Sequence, residues 1–484
     1  MAPNGTTQPD RTHFQTSDNI SHIWTGLGLP NSALASLNLQ DDGTDYASSY
    51  KIADLAQSSI ALSALSASLV DSLRQPSGAV KRIKAPRRHA CLEFQTERLF
   101  SIDGDPSPSA WGPIGGLHAT ADGHVRIHDV FPHHRNGALR LLGLDEKANR
   151  ADVAEKVKGW KKVELEEAAC EKKLVIYALR SYAEWDALPH SAQVSDFPIL
   201  LRKIGEHGPK GLSPRMKPGA DRCLRGLRVL ELSRVIAAPT AGKTLAAHGA
   251  DVLWVTSPNL PDLPHLDRNL SRGKRTIQLD LHDSKDVEKM RELVKECDVF
   301  IQGYRPQSLA AKGFSAAELA ALRPGLIYAN LSAFGPTGPW SDRRGFDSLV
   351  QTCTGMNVSE AEHFGEDEAA RVMPAQALDY GGGFLLATGI CAALYRQATE
   401  GGSWEVHVSL AAVSKYLRSL GQRPGKTGFG HIDPADDAPG AWFEERESGF
   451  GRCRGLKHAA DVEGATPGWD IMPKPLGSDE PRWL

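Results

Sequence analysis

One carboxylate in the sequence has surroundings suited to covalent chemistry. In the segment "ALDYGGGFLLATGICAALYRQ", Asp379 stands shortly before Gly381–Gly383 and a long apolar helix. A carboxylate at a helix N-terminus is stabilised by the helix dipole and accepts backbone N–H groups. The same geometry would hold an ionised carboxylate still while it attacks a carbonyl carbon. The residues alone leave both interpretations of Asp379 open, a helix cap and a nucleophile.

The three glycines also have two interpretations. Because they lack side chains, a thioester or another backbone could come close to them, and their N–H groups could donate to an oxyanion. The alternative is that Gly381–Gly383 let neighbouring helices pack closely.

Basic residues collect between residues 268 and 312 and again at 343–344. Guanidinium and ammonium groups pair with phosphates, so these residues could hold a polyanionic ligand, and a solvated basic surface is the alternative. Asp347 follows the second group and is interpreted as a helix cap or an ion-pair partner. The basic residues are Arg268, Arg272, Lys274, Arg275, Arg305, Lys312, Arg343 and Arg344.

The loop "SRVIAAPTAGK" joins a short strand to a helix but contains neither G-x-G-x-x-G nor a complete Walker sequence. The helix N-terminus that follows could still bind a phosphate. His124, His128, His133 and His134 lack the spacing of metal ligands, so no metal is expected.

The pattern along the second half predicts the elements that must position these groups. Short apolar strands at 227–232, 251–255, 299–302 and 326–332 alternate with helices at 238–250, 283–298 and 315–324. This alternation indicates an α/β fold with a doubly wound parallel, Rossmann-like sheet. A helix at 50–75 and a hairpin at 117–131 indicate a second, smaller α+β domain.

The predicted organisation has five parts. Residues 1–44 form a polar segment expected to be disordered, residues 45–202 contain the small domain, and residues 203–222 form a linker rich in Gly and Pro. Residues 223–417 carry the parallel sheet and Asp379, and residues 418–484 form a return segment. Residues 60–94 and 384–417 share one order of helix, Arg-Gln, glycine turn, strand and helix, which suggests two related halves in one chain.

Composition restricts the partners. The 484 residues carry a net charge of −3, which does not favour nucleic acid, and no apolar run reaches membrane-spanning length. Seven scattered cysteines without a C-x-x-C pair are typical of a reducing compartment. We expect a cytoplasmic protein, with mitochondria left open.

Six segments in order resemble the family III CoA-transferases, the CaiB/BaiF family. They are "LRGLRVLELSRVIAAPTAGKTLAAHGADVLWV", "RGKRTIQLDL", "DVFIQGYRP", "LIYANLSAFGPTGPW", "RRGFDSLVQTCTGM" and "ALDYGGGFLLATGICAALYRQ". The resemblance implies that family's fold, coenzyme A carried as an acyl-CoA substrate, a carboxylic acid as second substrate, and an interlocked homodimer. Residues 45–202 resemble the back half of a first copy, and residues 224–484 resemble a second copy with a shortened back half.

The resemblance also implies roles for individual residues. The family's aspartate nucleophile falls on Asp379, and Asp54 holds the corresponding place in the first copy, where the glycines are missing and no activity is expected. The family's asparagine falls on Gly303, a departure. The implied CoA contacts are Ser233, Arg234, Val235, Ala237, Lys274 or Arg275, Tyr304, Lys312, Arg344 and Phe346.

Two alternatives stay open. The related racemases carry a histidine where Phe346 stands, and phenylalanine cannot transfer a proton, which weakens the interpretation as an acyl-CoA racemase or isomerase. Gly303 and the rearranged halves leave room for a CoA-binding protein without catalysis.

Overall fold

The computed structural model describes residues 9–109 and 111–484. Its helices are α1 Thr16–Gly26, α2 Ile52–Ser72, α3 Arg87–Glu93, α4 Pro132–Leu141, α5 Arg150–Val157, α6 Lys162–Glu171, α7 Tyr182–Asp186, α8 Ala237–Ala247, α9 Pro264–Leu270, α10 Ser284–Glu296, α11 Pro306–Ala310, α12 Ala316–Leu322, α13 Asp347–Cys353, α14 Met356–Phe364, α15 Ala377–Glu400 and α16 Leu410–Ser419. Its strands are β1 Leu37–Gln40, β2 Ile83–Pro86, β3 Ser101–Ile102, β4 Asp105–Pro106, β5 Gly116–Thr120, β6 Gly123–Ile127, β7 Ile176–Ala178, β8 Ile199–Gly205, β9 Arg228–Leu232, β10 Asp251–Thr256, β11 Lys274–Gln278, β12 Val299–Gln302, β13 Ile327–Ser332, β14 Ser403–Ser409, β15 Phe443–Ser448, β16 Gly451–Leu456 and β17 Asp461–Val462.

A seven-stranded sheet organises the second half of the chain. Its strand order is β11-β10-β9-β12-β13-β14-β8, and every pair is parallel except β14 with β8. The strands are short and apolar because helices cover both faces of such a sheet. The predicted doubly wound α/β fold is confirmed, and strands run outward from β9 in both directions.

Two helices of the second half begin at side-chain caps. Ser315 accepts the N–H of Glu318 at 3.3 Å, while the Glu318 carboxylate accepts the N–H of Ser315, which closes a capping box before α12. The Asp283 carboxylate caps α10 through the N–H of Lys285 at 2.8 Å.

Helices α2 and α15 pack against each other at the centre of the molecule. Both are long and apolar enough to cross a membrane, but 94% and 100% of their most apolar windows are buried inside the protein. The serine-rich α2 tolerates burial because its hydroxyls donate to carbonyls of the preceding turn, as from Ser63 to Ile60 at 2.8 Å. After each helix the chain makes a turn, a strand and another helix, in agreement with the two-copy pattern.

Three small sheets complete the fold. Strands β5, β6 and β7 form the expected hairpin with one added strand. Strands β1, β2 and β17 form a second sheet, and β15, β16, β3 and β4 form a third. These last two sheets join the beginning of the chain to its final segment.

The structure differs from the sequence prediction at the N-terminal segment and at the linker. Residues 16–40 are ordered into α1, a 3₁₀ turn and β1, because Ile23 and Trp24 are buried in the main core and the Trp24 indole donates to the carbonyl of Pro30. Residues 1–8 of the predicted disordered segment lie outside the described residues. The predicted linker begins within β8, which closes one edge of the large sheet.

Candidate active site

A cavity of about 520 Å³ opens at the carboxyl ends of the central strands. Its lining includes the residues that directly follow β10, β11, β12 and β13, and Arg234 from the loop after β9. The strand order reverses between β9 and β12, so the crevice lies at a topological switch point, where doubly wound sheets bind their ligands. This first cavity has a volume typical of small-molecule sites.

The loop between β9 and α8 is strained at Val235. This residue has a φ of 70° in the left-handed region, which a β-branched side chain rarely adopts. Such conformations are of order 1–3 kcal/mol unfavourable and persist where the surroundings enforce them, commonly at functional sites. The loop also carries Arg234 and leads to Ala237, and all three residues line the first cavity. The neighbouring Ser233 lies beside it, with its buried hydroxyl donating to Glu231 at 2.5 Å.

Five arginine and lysine side chains line the first cavity. Arg305 pairs with Asp342 at 3.3 Å, whereas three of the others have no carboxylate partner among the described residues. The Arg234 guanidinium stacks 4.5 Å from the Phe131 ring centroid, Lys312 donates to the carbonyl of Leu281 at 3.2 Å, and Arg344 donates to the carbonyl of Lys173 at 2.8 Å. Because carbonyls do not neutralise their charge, these groups remain available to phosphates. By contrast, the neighbouring Arg343 is paired with Glu167 at 2.8 Å.

Tyr304 and Phe346 supply aromatic surface to the first cavity. Gly303, between β12 and Tyr304, lies so close to the β9 loop that an added Cβ would be 2.9 Å from the Cβ of Ala238 and 3.3 Å from that of Ser233. The close approach explains why glycine stands at this position and leaves no room for an asparagine.

Asp379 lies in the first turn of α15, beside a second carboxylate. The Asp347 carboxylate accepts the N–H groups of Leu378 and Asp379 at 2.8 and 2.9 Å, so it caps α15 from the neighbouring helix α13. A third carboxylate, Glu97, accepts the hydroxyl of Tyr380. The prediction that Asp347 is a cap is confirmed, although it caps α15.

Burial raises the pKa of all three carboxyl groups. The pKa of Asp379 is well above its ordinary value, first because the group is buried and then because Asp347 and Glu97 are near. Burial likewise raises the pKa of Asp347 to about 6, and it raises that of Glu97. Asp379 therefore binds its proton more firmly in the free protein than an exposed aspartate does.

A second cavity, of about 730 Å³, lies on the other side of Asp379. Residues of the small domain and of α13 line it, and it shares Val235, Ile236, Phe346 and Asp379 with the first cavity. The His128 ring stacks on Phe346 with centroids 4.1 Å apart. Asp379 thus stands at the junction of a cationic crevice and a second chamber.

The same region of the chain matches known proteins. Residues 224–428 match the model of the family described as CoA-transferase family III. The chain belongs to this family over that region.

Individual known proteins are similar to parts of this chain. An acyl-CoA transferase of Gibberella moniliformis is 33% identical over 360 residues, which cover 67% of this chain and 63% of that protein. A formyl-CoA:oxalate CoA-transferase of Rhodopseudomonas palustris is 35% identical over 192 residues, which cover 37% of this chain and 44% of that protein. A crystal structure of a CAIB/BAIF family protein from Brucella suis is 26% identical, with a TM-score of 0.36, over 47% of this chain and 64% of that one. The chain thus spans less than two thirds of each.

Gly381 and Gly383 serve close helix packing. An added Cβ at Gly383 would lie 2.5 Å from the carbonyl oxygen of Ala237 in α8, and one at Gly381 would lie 3.0 Å from a methyl group of Leu55 in α2. All three glycines are buried, and none lines either cavity. The structure therefore favours the packing interpretation over substrate approach or oxyanion binding.

Lys274 and Arg275 do not line the first cavity, contrary to the expectation that one of them contacts CoA. Lys274 is fully buried and donates to Glu231 at 2.8 Å, and Arg275 forms a bidentate pair with Asp251 at 2.9 Å. Burial lowers the pKa of Lys274 and raises that of Glu231. These basic groups hold β11 to its neighbouring strands and are unavailable to a ligand.

Asp54, which holds the place of Asp379 in the first copy and was expected to be inactive, forms an ion pair. The Asp54 carboxylate, in the first turn of α2, accepts from Arg87 at 2.7 Å and from Thr16 at 2.9 Å. Asp54 lines neither cavity, so the two related helices carry aspartates in different environments.

Sequence reasoning did not assign several residues of the second cavity to the site. Among them are Glu97, Arg126 and Ser348, which come from three separate segments of the chain. His128 was considered only as a metal ligand. No cluster of metal-ligating side chains occurs in residues 9–109 and 111–484.

Proposed function

We propose that this protein transfers CoA from an acyl-CoA thioester to a carboxylic acid, with Asp379 as the nucleophile. The observation that carries the proposal is the position of Asp379 between two cavities. The first cavity offers unpaired cations and aromatic surface suited to the nucleotide of CoA. The second has room for an acyl group or an acid. The names of the relatives support the same class of reaction.

The reaction proceeds by exchange at two carbonyl carbons. An oxygen of Asp379 attacks the thioester carbonyl, the carbon–sulfur bond breaks, and CoA leaves as a thiolate. The product is a mixed anhydride. The thiolate then attacks the aspartyl carbonyl, and the first acid leaves as a carboxylate, which produces an aspartyl-CoA thioester. The acceptor carboxylate repeats these two steps in reverse order, and Asp379 is regenerated.

The surroundings of Asp379 support this role. The N-terminus of α15 stabilises negative charge that develops on the aspartyl oxygens. The Asp347 carboxylate holds the backbone of this turn and thereby fixes the direction of the side chain. The helix N-terminus and Asp347 thus keep the Asp379 carboxylate in one orientation during two successive attacks.

The experiment is trapping of the covalent intermediate. After incubation with acetyl-CoA, hydroxylamine should convert Asp379 into a hydroxamate that mass spectrometry detects. Asp379→Asn should abolish both the adduct and CoA exchange while CoA still binds. Asp54→Asn is the matched control, because it makes the same change in the first turn of the related helix outside both cavities. Full exchange by Asp379→Asn would refute the proposal.

An acyl-CoA racemase is the rival with one observation in its favour. His128 brings an imidazole against Phe346, where the racemases carry a histidine. Burial and Arg126 lower the pKa of His128 to about 3, however, so its ring is neutral near pH 7 and a poor proton donor. Deuterium uptake at the α-carbon without CoA exchange would support the rival.

A further inference from the structure

The inner part of the second cavity is polar. Asp347 and Ser348 line it from α13 and are 1% and 5% exposed, and the Asp347 carboxylate accepts the N–H of Asp379. Arg126 lines the cavity from β6, donates to the buried Thr352 of α13 at 2.9 Å, and has no carboxylate partner among the described residues. Because an unpaired guanidinium attracts carboxylates, the acid group of a substrate is drawn to this part of the cavity, which also contains Asp379.

The opening of the second cavity is apolar. Pro108, Trp111, Val372 and Pro374 line the cavity and are exposed to solvent, Trp111 by 50% and Val372 by 52%. We call these four residues the apolar mouth. Single exposed apolar residues are ordinary on a protein surface, but several that border one concave site indicate a place where a ligand binds.

A row of aromatic rings joins the apolar mouth to the junction of the two cavities. The Trp111 ring meets the His128 ring edge to face with centroids 5.7 Å apart, and His128 stacks on Phe346 at 4.1 Å. All three residues line the second cavity, and Phe346 lines the first cavity too. The lowered pKa of His128 leaves its ring neutral near pH 7, so the row offers an uncharged wall against which an apolar group can pack.

The volume of the second cavity exceeds what a short acid needs. Its 730 Å³ lies within the range of about 300–1,000 Å³ that is typical of sites enclosing much larger ligands. An acetyl group would leave most of this volume, including the apolar mouth, to water. A ligand that covers the apolar mouth displaces that water and gains affinity in proportion to the apolar area covered.

From this division of the cavity we infer that the acid handled by this protein carries a bulky apolar body, such as a ring, which packs in the apolar mouth while its carboxyl group lies at Asp379. The inference rests on the proposed function for the reacting end and goes beyond it by naming the class of acid. It makes Trp111 and Val372 specificity-determining residues, which favour acids with a ring over short acids that have the same carboxyl end.

The test is a binding measurement that needs no turnover. Phenylpropanoate and propanoate have the same carboxyl end and differ by a phenyl ring. In calorimetric titration of the unaltered protein, with CoA present to occupy the first cavity, we expect phenylpropanoate to bind about 10-fold to 100-fold more tightly, the gain for burying a phenyl side chain. Trp111→Ala should reduce this preference about 3-fold to 10-fold, and Val372→Thr, which replaces a methyl group by a hydroxyl group, should reduce it about 3-fold.

Trp442→Ala is the matched control for Trp111→Ala, because Trp442 also packs against a histidine ring, that of His89 at 4.7 Å, but lies outside both cavities. Ile432→Thr is the control for Val372→Thr, since Ile432 is 78% exposed and lines neither cavity. Both controls should keep the full preference, and circular dichroism checks that every variant is folded.

Equal binding of the two acids, absent binding of phenylpropanoate, or an unchanged preference in both Trp111→Ala and Val372→Thr would overturn the inference. An equal loss of preference in the two controls would overturn it too, because that loss would indicate unspecific adsorption of the ring. Absence of CoA exchange in the unaltered protein would instead count against Asp379 as nucleophile, since the titration tests the apolar mouth without turnover.

Discussion

Two adjacent glycines of α15 should respond in opposite ways to the same substitution. At Gly382 an added Cβ meets nothing nearer than 3.5 Å, an ordinary contact. Gly382→Ala should therefore stabilise the protein by about 0.5–1 kcal/mol, the helix-propensity difference between the two residues. At Gly383 the same Cβ lies 2.5 Å from the Ala237 carbonyl oxygen and 2.6 Å from the Cβ of Thr240.

A contact with backbone cannot be relieved by rotating a side chain, so α8 and α15 must separate. Overpacking of this kind costs about 1–3 kcal/mol. After the gain in helix propensity of about 1 kcal/mol, Gly383→Ala should destabilise the protein by up to about 2 kcal/mol. Ala237 begins the helix beside both cavities, so Gly383→Ala should also weaken CoA binding while Gly382→Ala does not.

The assay is urea unfolding followed by circular dichroism, together with titration of CoA. The reasoning fails if the two variants have equal free energies of unfolding. It also fails if Gly383→Ala is destabilised but binds CoA with unchanged affinity, because displacement of α8 would then leave the first cavity unchanged.

Three other outcomes follow from the contacts described above. The kcat/KM for acyl-CoA should fall as pH is lowered through the raised pKa of Asp379, because only the ionised carboxylate attacks. Asp347→Asn removes a neighbouring negative charge, so this fall in kcat/KM should occur at lower pH in the variant. A pH profile identical to that of the unaltered protein would exclude electrostatic coupling of the two groups. Lys274→Met should lower the free energy of unfolding by about 3–5 kcal/mol, because it leaves Glu231 buried without a counter-charge, and urea unfolding measures this. Restoration of stability by adding Glu231→Gln is the check. Arg344→Gln should raise the Kd for CoA about 10-fold by removing an unpaired cation, and an unchanged Kd in calorimetry would mean that Arg344 does not contact the ligand.

The crevice could be predicted from the sequence because its parts are local. In a parallel sheet the residues directly after each strand meet at one edge, so Arg234 after β9 and Tyr304 after β12 were bound to be neighbours once the strands were recognised. The hairpin of β5 and β6 is equally local, and it was predicted.

Lys274 shows why charge alone does not predict a ligand contact. A lysine beside a strand can face a phosphate or a buried carboxylate, and both uses require the same residue type. The informative residue was Glu231, within the apolar strand "LRVLEL", because a carboxylate in a sheet covered on both faces requires a buried partner.

The second cavity could not be predicted because its wall is assembled by tertiary packing. Arg126 and Thr352 are 226 positions apart in sequence and meet at 2.9 Å. No periodicity in either segment predicts that contact, because it depends on how the small domain packs against α13.

The pairing of α2 with α15 determines how this chain can fold. Residues 52–72 emerge from the ribosome long before residues 377–400. Helix α2 therefore cannot pack against α15 until about 300 further residues have been synthesised. Contacts of such long sequence separation slow folding and leave apolar surface exposed in the meantime. Strands β2 and β3 likewise pair with strands of the final segment, β17 and β16, which are synthesised last. The main core, which contains both α2 and α15, therefore cannot be completed before residues 377–400 have been synthesised.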